Sequence, residues 1–174
     1  VTLWTLPPAE AVRLARAVGQ DAVPCSMTWT LPASGCIRSP EDADRLLIPP
    51  DPRAARAKLQ TYIEATRTTR PTASGTGVGV VARLSGPMTC SYMALGPVPI
   101  ESFMYLLYDQ PKLVERVMDA FLDYHLRLIE AISDLPYHLY YIGDDIASST
   151  GPLISPADLE RLWAPRTEKL VRAA

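Results

Sequence analysis

Apolar residues recur at three- and four-residue spacing over "PKLVERVMDAFLDYHLRLIEAIS", from Pro111 to about Ser133. Val114, Val117, Met118, Phe121, Leu128, Ile129 and Ile132 form the stripe. Asp119, Asp123, Arg127 and Glu130 lie mainly off it. This pattern predicts an amphipathic helix covering a core. His125 falls within this helix and reads as a surface or packing residue facing away from the stripe. A second helix is expected from about Arg53 to Thr66. A further one runs from Pro156 toward the C-terminus, with Pro165 a candidate bend.

Helix starts are marked by proline. Ser39-Pro40-Glu41-Asp42 and Ser155-Pro156-Ala157-Asp158 are near-copies. Each offers a serine N-cap, a proline at the first helical position and an acid near the positive end of the helix dipole. Pro7 and Pro8 open a helix that stops at Gly19.

Three short apolar runs predict buried strands: "DAVPC" at 21–25, "VGVVARL" at 78–84 and "YHLYYIG" at 137–143. Helical pattern separates each from the next, which implies parallel βα units with helices outside. The "GTGVG" run at 75–79 precedes a strand, whereas a dinucleotide fingerprint follows one. It therefore reads as a permissive loop.

Composition adds bounds. The 174 residues suit a single domain, or part of a larger one. They are 48% hydrophobic and 21% charged with a net charge of −2, which argues against disorder and against a basic nucleic-acid footprint. No apolar run approaches the ~20 residues of a membrane span. The opening "VTLWTLPPAE" lacks the features of a signal peptide, and a cytoplasmic protein is expected. Cys25, Cys36 and Cys90 are odd in number and widely spaced, so they read as free thiols. There is no His-x-Cys, Cys-x-x-Cys, Gly-x-Ser-x-Gly or His-Glu-x-x-His, so no complete metal site or nucleophile triad is expected.

The chemistry concentrates after the second and third strands, in "SGPMTCSYM" and "DDIASSTGPLISP". Ligands of parallel α/β folds bind at the C-terminal ends of strands. Tyr92, Thr89, Asp144 and Asp145 are therefore expected to surround one pocket. Adjacent residues on an extended chain point opposite ways. One aspartate is expected to face the mouth while its neighbour caps a loop or meets an arginine. His138 starts its strand and belongs to the opposite end.

Taken together, "VGQDAV" at 18–23, "IRSPEDADRL" at 37–46, "SGPMTCSYM" at 85–93, "LLYDQPKLVERVMD" at 106–119 and "GDDIASSTGPLISPADLERLWAPRTEKLV" at 143–171 resemble the uroporphyrinogen decarboxylase superfamily. That group includes the decarboxylase of haem biosynthesis and the corrinoid-linked methyltransferases. The resemblance implies a partial (β/α)8 TIM-type barrel of about three βα units, with residues 1–174 as one partial domain. An open barrel leaves strand edges unpaired, so self-association or a partner is expected to cover it.

Asp144 and Asp145 are the candidate catalytic residues, with Tyr92, Thr89 and Thr28 as candidate substrate contacts; the resemblance bears on Thr28, Asp145 and Tyr92. Thr28 falls where the decarboxylases carry an aspartate that holds the pyrrole N–H groups. Asp145 replaces a serine of their "FDSWAG" motif, and Tyr92 falls one position before their tyrosine. The arginine-rich N-terminal motif is absent. The "DDIA…G.LISP" form is closer to the methyltransferase-like branch, whose zinc ligands would lie beyond Ala174. No metal or cofactor is thus expected within this chain, and zinc and a corrinoid belong to a longer parent. The implied activity is methyl transfer or decarboxylation on a tetrapyrrole or corrinoid-linked substrate, a small molecule or a corrinoid protein. The alternative is a non-catalytic truncated module that binds a partner or a corrinoid protein.

Overall fold

The computed structural model describes residues 6–68 and 77–174. The first two residues of the 75–79 run lie outside the described residues. The chain forms two compact units, each drawn from three separate segments. The first comprises Val1–Thr28, Asp51–Leu84 and Ala131–Ile142; the second comprises Trp29–Pro50, Ser85–Glu130 and Gly143–Ala174.

In the first unit, α1 (Pro8–Ala17) and β1 (Ala22–Ser26) are followed by α3 (Pro52–Thr68) and β2 (Gly79–Ser85), and then by β3 (Leu139–Gly143). Between β1 and α3 in sequence lies α2 (Pro40–Leu46), which belongs to the second unit. Pro8 occupies the first position of α1, and Gly19, at φ 74°, turns the chain out of it. Ala11, Val12 and Ala15 of α1 and Leu59, Tyr62 and Ile63 of α3 are buried, and the two helices pack together. Arg16 donates to the Thr66 carbonyl at 3.2 Å.

The sheet has the order β1-β2-β3. β1 and β2 are parallel, with Val23 opposite Val80 and Cys25 opposite Ala82. His138 N–H donates to Val80 O at one end of the β2–β3 pair and Gly86 N–H to Gly143 O at the other, so β3 runs the same way. This is an α/β fold, a partial (β/α)8 TIM-type arrangement whose described residues form three parallel strands and no closed barrel. Among the described residues β1 is an edge strand, so the missing N–H of Pro24 breaks no second ladder there.

β3 departs from expectation. It was expected to be buried, yet Leu139 and Tyr141 are 55% and 47% exposed. The reason is its place at the other edge of the sheet, where one face lacks cover among the described residues. At the start of β3, His138 accepts the Val80 N–H on Nδ1 at 3.2 Å, which fixes the register.

In the second unit, α4 (Pro87–Ala94) and α5 (Pro99–Asp109) precede α6 (Pro111–Ile132). The strands β4 (Ala147–Ser148) and β5 (Gly151–Pro152) form an antiparallel hairpin. The chain then continues through α7 (Pro156–Asp158), a π-helical turn (Leu159–Trp163) and α8 (Ala164–Ala173). Ser39 and Ser155 cap α2 and α7 by accepting the Asp42 and Asp158 N–H groups at 3.3 and 3.1 Å.

The stripe of α6 is buried as expected, and Trp29 packs on it with ring centroids 4.9 Å from Phe121 and 5.7 Å from Tyr124. His125 corrects the sequence reading: it is fully buried, because it lies four residues after Phe121 and three before Leu128, on the stripe itself. Neither ring nitrogen has a hydrogen-bonding partner among the described residues, and burial pushes its pKa down to about 4. Just before Pro165, where a bend was expected, the chain makes a π turn over Leu159–Trp163. A proline ring clashes with the carbonyl four residues back, and a wider turn relieves that clash. No helix among the described residues is long and apolar enough to cross a membrane.

Candidate functional site

The site grows from a problem at the start of α4. Pro87 has no N–H to lose, but Met88 and Thr89 carry donors that no helical carbonyl can satisfy. The N-cap position is Gly86, which has no side chain to accept them. Asp144, more than fifty residues along the chain, supplies the cap. Its Oδ1 accepts the Thr89 N–H at 2.6 Å and its Oδ2 the Met88 N–H at 3.3 Å. A carboxylate at a helix N-terminus also meets the positive end of the dipole. Gly86 is required for the approach, since a Cβ there would fall on the Asp144 carboxylate.

A third donor completes the arrangement. Trp163 Nε1–H reaches Asp144 Oδ2 at 3.1 Å from the end of the π turn. Burial pushes the Asp144 carboxyl above its ordinary range, and the surrounding hydrogen-bond donors pull it part of the way back.

Asp145 faces a different set of groups. Its N–H donates to Thr89 Oγ1 at 2.8 Å, and its Oδ2 accepts the Tyr92 hydroxyl at 3.2 Å. Tyr92 is buried and its ring meets Phe103 edge-on at 6.5 Å, whereas Asp145 is exposed. Burial holds the Tyr92 hydroxyl above its usual pKa, and the Asp145 charge adds to that. The phenol therefore stays protonated at neutral pH and acts as a donor.

Of the residues singled out in the sequence, Tyr92, Thr89, Asp144 and Asp145 are brought into one hydrogen-bonded cluster at the C-terminal ends of β2 and β3. The two aspartates do point to different partners, as their adjacency implied. Thr28 lies two residues past β1, half-buried, in the first unit, and is described there alone.

Sequence reasoning missed Gly86, Trp163 and the hairpin that follows Asp145. The glycine-proline pair ahead of an unassigned helix was the available signal for the first. The hairpin absorbs the small polar stretch: Ser148 Oγ donates to Gly151 O at 3.1 Å and accepts the Thr150 N–H.

Nearby thiol chemistry is weak. Cys90 is buried, and desolvation, with a smaller push from the Asp144 charge, moves its pKa far upward, so it is a thiol rather than a thiolate. The described residues hold no group of three or more His, Cys, Asp or Glu side chains that could bind a metal ion. They do not fit a zinc site, and no step of the chemistry is assigned to one.

A family model described as uroporphyrinogen decarboxylase (URO-D) matches residues 14–174. Among solved structures, a methyltransferase from Methanosarcina mazei superposes with a TM-score of 0.59 at 16% sequence identity. The match covers 95% of this chain and 52% of that one, so the chain spans about half the length of the methyltransferase. At that identity the likeness speaks to the fold alone. No curated protein matches the chain.

Proposed function

Since the chain belongs to the uroporphyrinogen decarboxylase family, we propose that it forms the part of a decarboxylase-superfamily barrel that grips a tetrapyrrole or corrinoid-linked substrate, more in the manner of the methyltransferase branch. The observation that carries this reading is the Asp145–Tyr92 pair at the ends of the parallel strands. The exposed Asp145 carboxylate is an acceptor and a negative charge. It suits an N–H or cationic part of a ligand, and it would stabilise positive charge developing on a pyrrole or at a transferring methyl group. The protonated Tyr92 hydroxyl orients that carboxylate. Asp145 stands where the decarboxylases carry a neutral serine, which favours the methyltransferase-like branch over strict decarboxylation. In this reading zinc and a corrinoid belong to the complete barrel and not to these residues.

The test is a spectral titration of the full chain with a porphyrinogen analogue and, separately, with methylcobalamin. Binding of one class with loss on Asp145→Ala supports the reading and selects the chemistry. No binding of either sinks it.

A second reading, a non-catalytic module that docks a partner or a second copy, draws on the exposed apolar edge at Leu139 and Tyr141 of β3. An open strand edge with apolar side chains is a template for pairing. Light scattering tests self-association: a concentration-independent monomer argues against a second copy as the cover.

A further inference from the structure

Adjacency in the sequence leaves open which of Asp144 and Asp145 faces a ligand, and their surroundings differ. Each Asp144 oxygen is already engaged. Oδ1 takes the Thr89 N–H, and Oδ2 takes both the Met88 N–H and the Trp163 indole. With three donors on its roughly four acceptor sites, this carboxylate has little capacity left for a ligand. Asp145 instead leans on Thr89 through its own N–H and on Tyr92 through its carboxylate, and it is exposed.

Thr89 joins the two. Its N–H is held by Asp144, while its hydroxyl oxygen receives the Asp145 N–H. Tyr92, three residues on in α4, presents its hydroxyl from the same helix whose first turn Asp144 ties down. The position of the helix start therefore sets the distance between Tyr92 and Asp145.

Trp163 secures this arrangement from the other side. It is half-buried at the end of the π turn, the Ala164 N–H reaching back five residues to Leu159 O. One extra residue in a helical turn rotates the helix faces on either side of it relative to each other. That rotation belongs with the direction in which Trp163 meets Asp144. The π turn and the last helix are also pinned to α6, where Arg161 meets Glu115 at 2.5 Å and Arg166 meets Asp119 at 2.7 Å.

We infer that Trp163 and Asp144 form a positioning clamp, in which the indole fixes the carboxylate, the carboxylate fixes the start of α4, and Thr89 passes that placement to the Asp145–Tyr92 pair. Asp144 and Trp163 are positioning residues, and Asp145 is the group that meets the ligand. This rests on the reading that Asp145 and Tyr92 face the substrate.

The clamp is tested without any ligand. The chain carrying 13Cζ-labelled tyrosine is titrated by NMR, with the Tyr92 signal assigned by Tyr92→Phe. Asp145→Asn removes the carboxylate charge directly and sets the benchmark, a lower Tyr92 midpoint. Trp163→Phe keeps the ring volume roughly but deletes the indole donor. It is expected to move the midpoint in the same direction, by about 0.5 pH unit, as the carboxylate loosens from the phenol. Asp144→Asn removes a charge that itself raises Tyr92, so its shift does not report on the clamp, and Trp163→Phe, its fold checked by circular dichroism, carries the test.

The inference is overturned if Trp163→Phe leaves Tyr92 at its unaltered midpoint while Asp145→Asn shifts it. If Asp145→Asn itself leaves Tyr92 unmoved, the Asp145–Tyr92 pairing fails, and the proposed site falls with it.

Discussion

The Thr89 backbone N–H donates to Asp144 Oδ1 at 2.6 Å, so the helix after β2 is capped by the residue that follows β3. A cap from a distant strand end ties two βα units together where their strands finish. It also explains why a glycine precedes Pro87, since any side chain there would displace the carboxylate. Gly86→Ala is therefore expected to lower stability by about 2 kcal/mol, through lost hydrogen bonds at a buried carboxylate and local overpacking. Urea denaturation monitored by circular dichroism measures it. A change within experimental error would show that Asp144 yields at no cost.

His125 predicts acid sensitivity. Its folded pKa of about 4 lies below the ordinary 6.5, so the unfolded chain takes up its proton first. The neutral form is compatible with burial at all pH values above about 6.5. Stability is then lost as pH falls from about 6.5 to about 4, by roughly 3 kcal/mol in total. His125→Leu, which fills the same apolar site without titrating, should flatten that part of the stability-versus-pH curve. An unaltered slope in the variant would assign the acid loss to other groups.

The three thiols should differ in reactivity. Cys25 is buried and desolvation pushes it up to about 11, Cys90 is buried with its pKa also raised, and Cys36 is partly exposed. Under native conditions a thiol reagent such as DTNB is expected to label Cys36 first, with Cys25 and Cys90 reacting only on unfolding. Mass spectrometry of the labelled peptides reads the order. Early labelling of Cys90 would show that the start of α4 opens readily.

How far the sequence disclosed this arrangement depended on the range of the signal. α6 and the helices opened at Pro40 and Pro156 were legible because serine, proline and spacing are local cues. α4 was not: it is buried at six of its eight positions, so it has no polar face to give it a period. α5 hid for the opposite reason, since Tyr105 and Tyr108 are apolar in pattern yet 65% and 75% exposed. The two aspartates were visible as strand-end residues. Which one is saturated was not, because their partners Met88, Thr89 and Trp163 come from other elements. β3 misled because an apolar run looks the same whether the sheet continues past it or not.

The central claim is that Asp145, held by Thr89 and Tyr92, meets the substrate. The most direct measurement is the dissociation constant of the unaltered chain and of Asp145→Ala for whichever of the porphyrinogen analogue and methylcobalamin binds. Loss of a charge-assisted contact is expected to weaken binding about 10- to 100-fold while the fold is kept. Equal affinities for the two proteins would contradict the claim and move the site elsewhere in the chain.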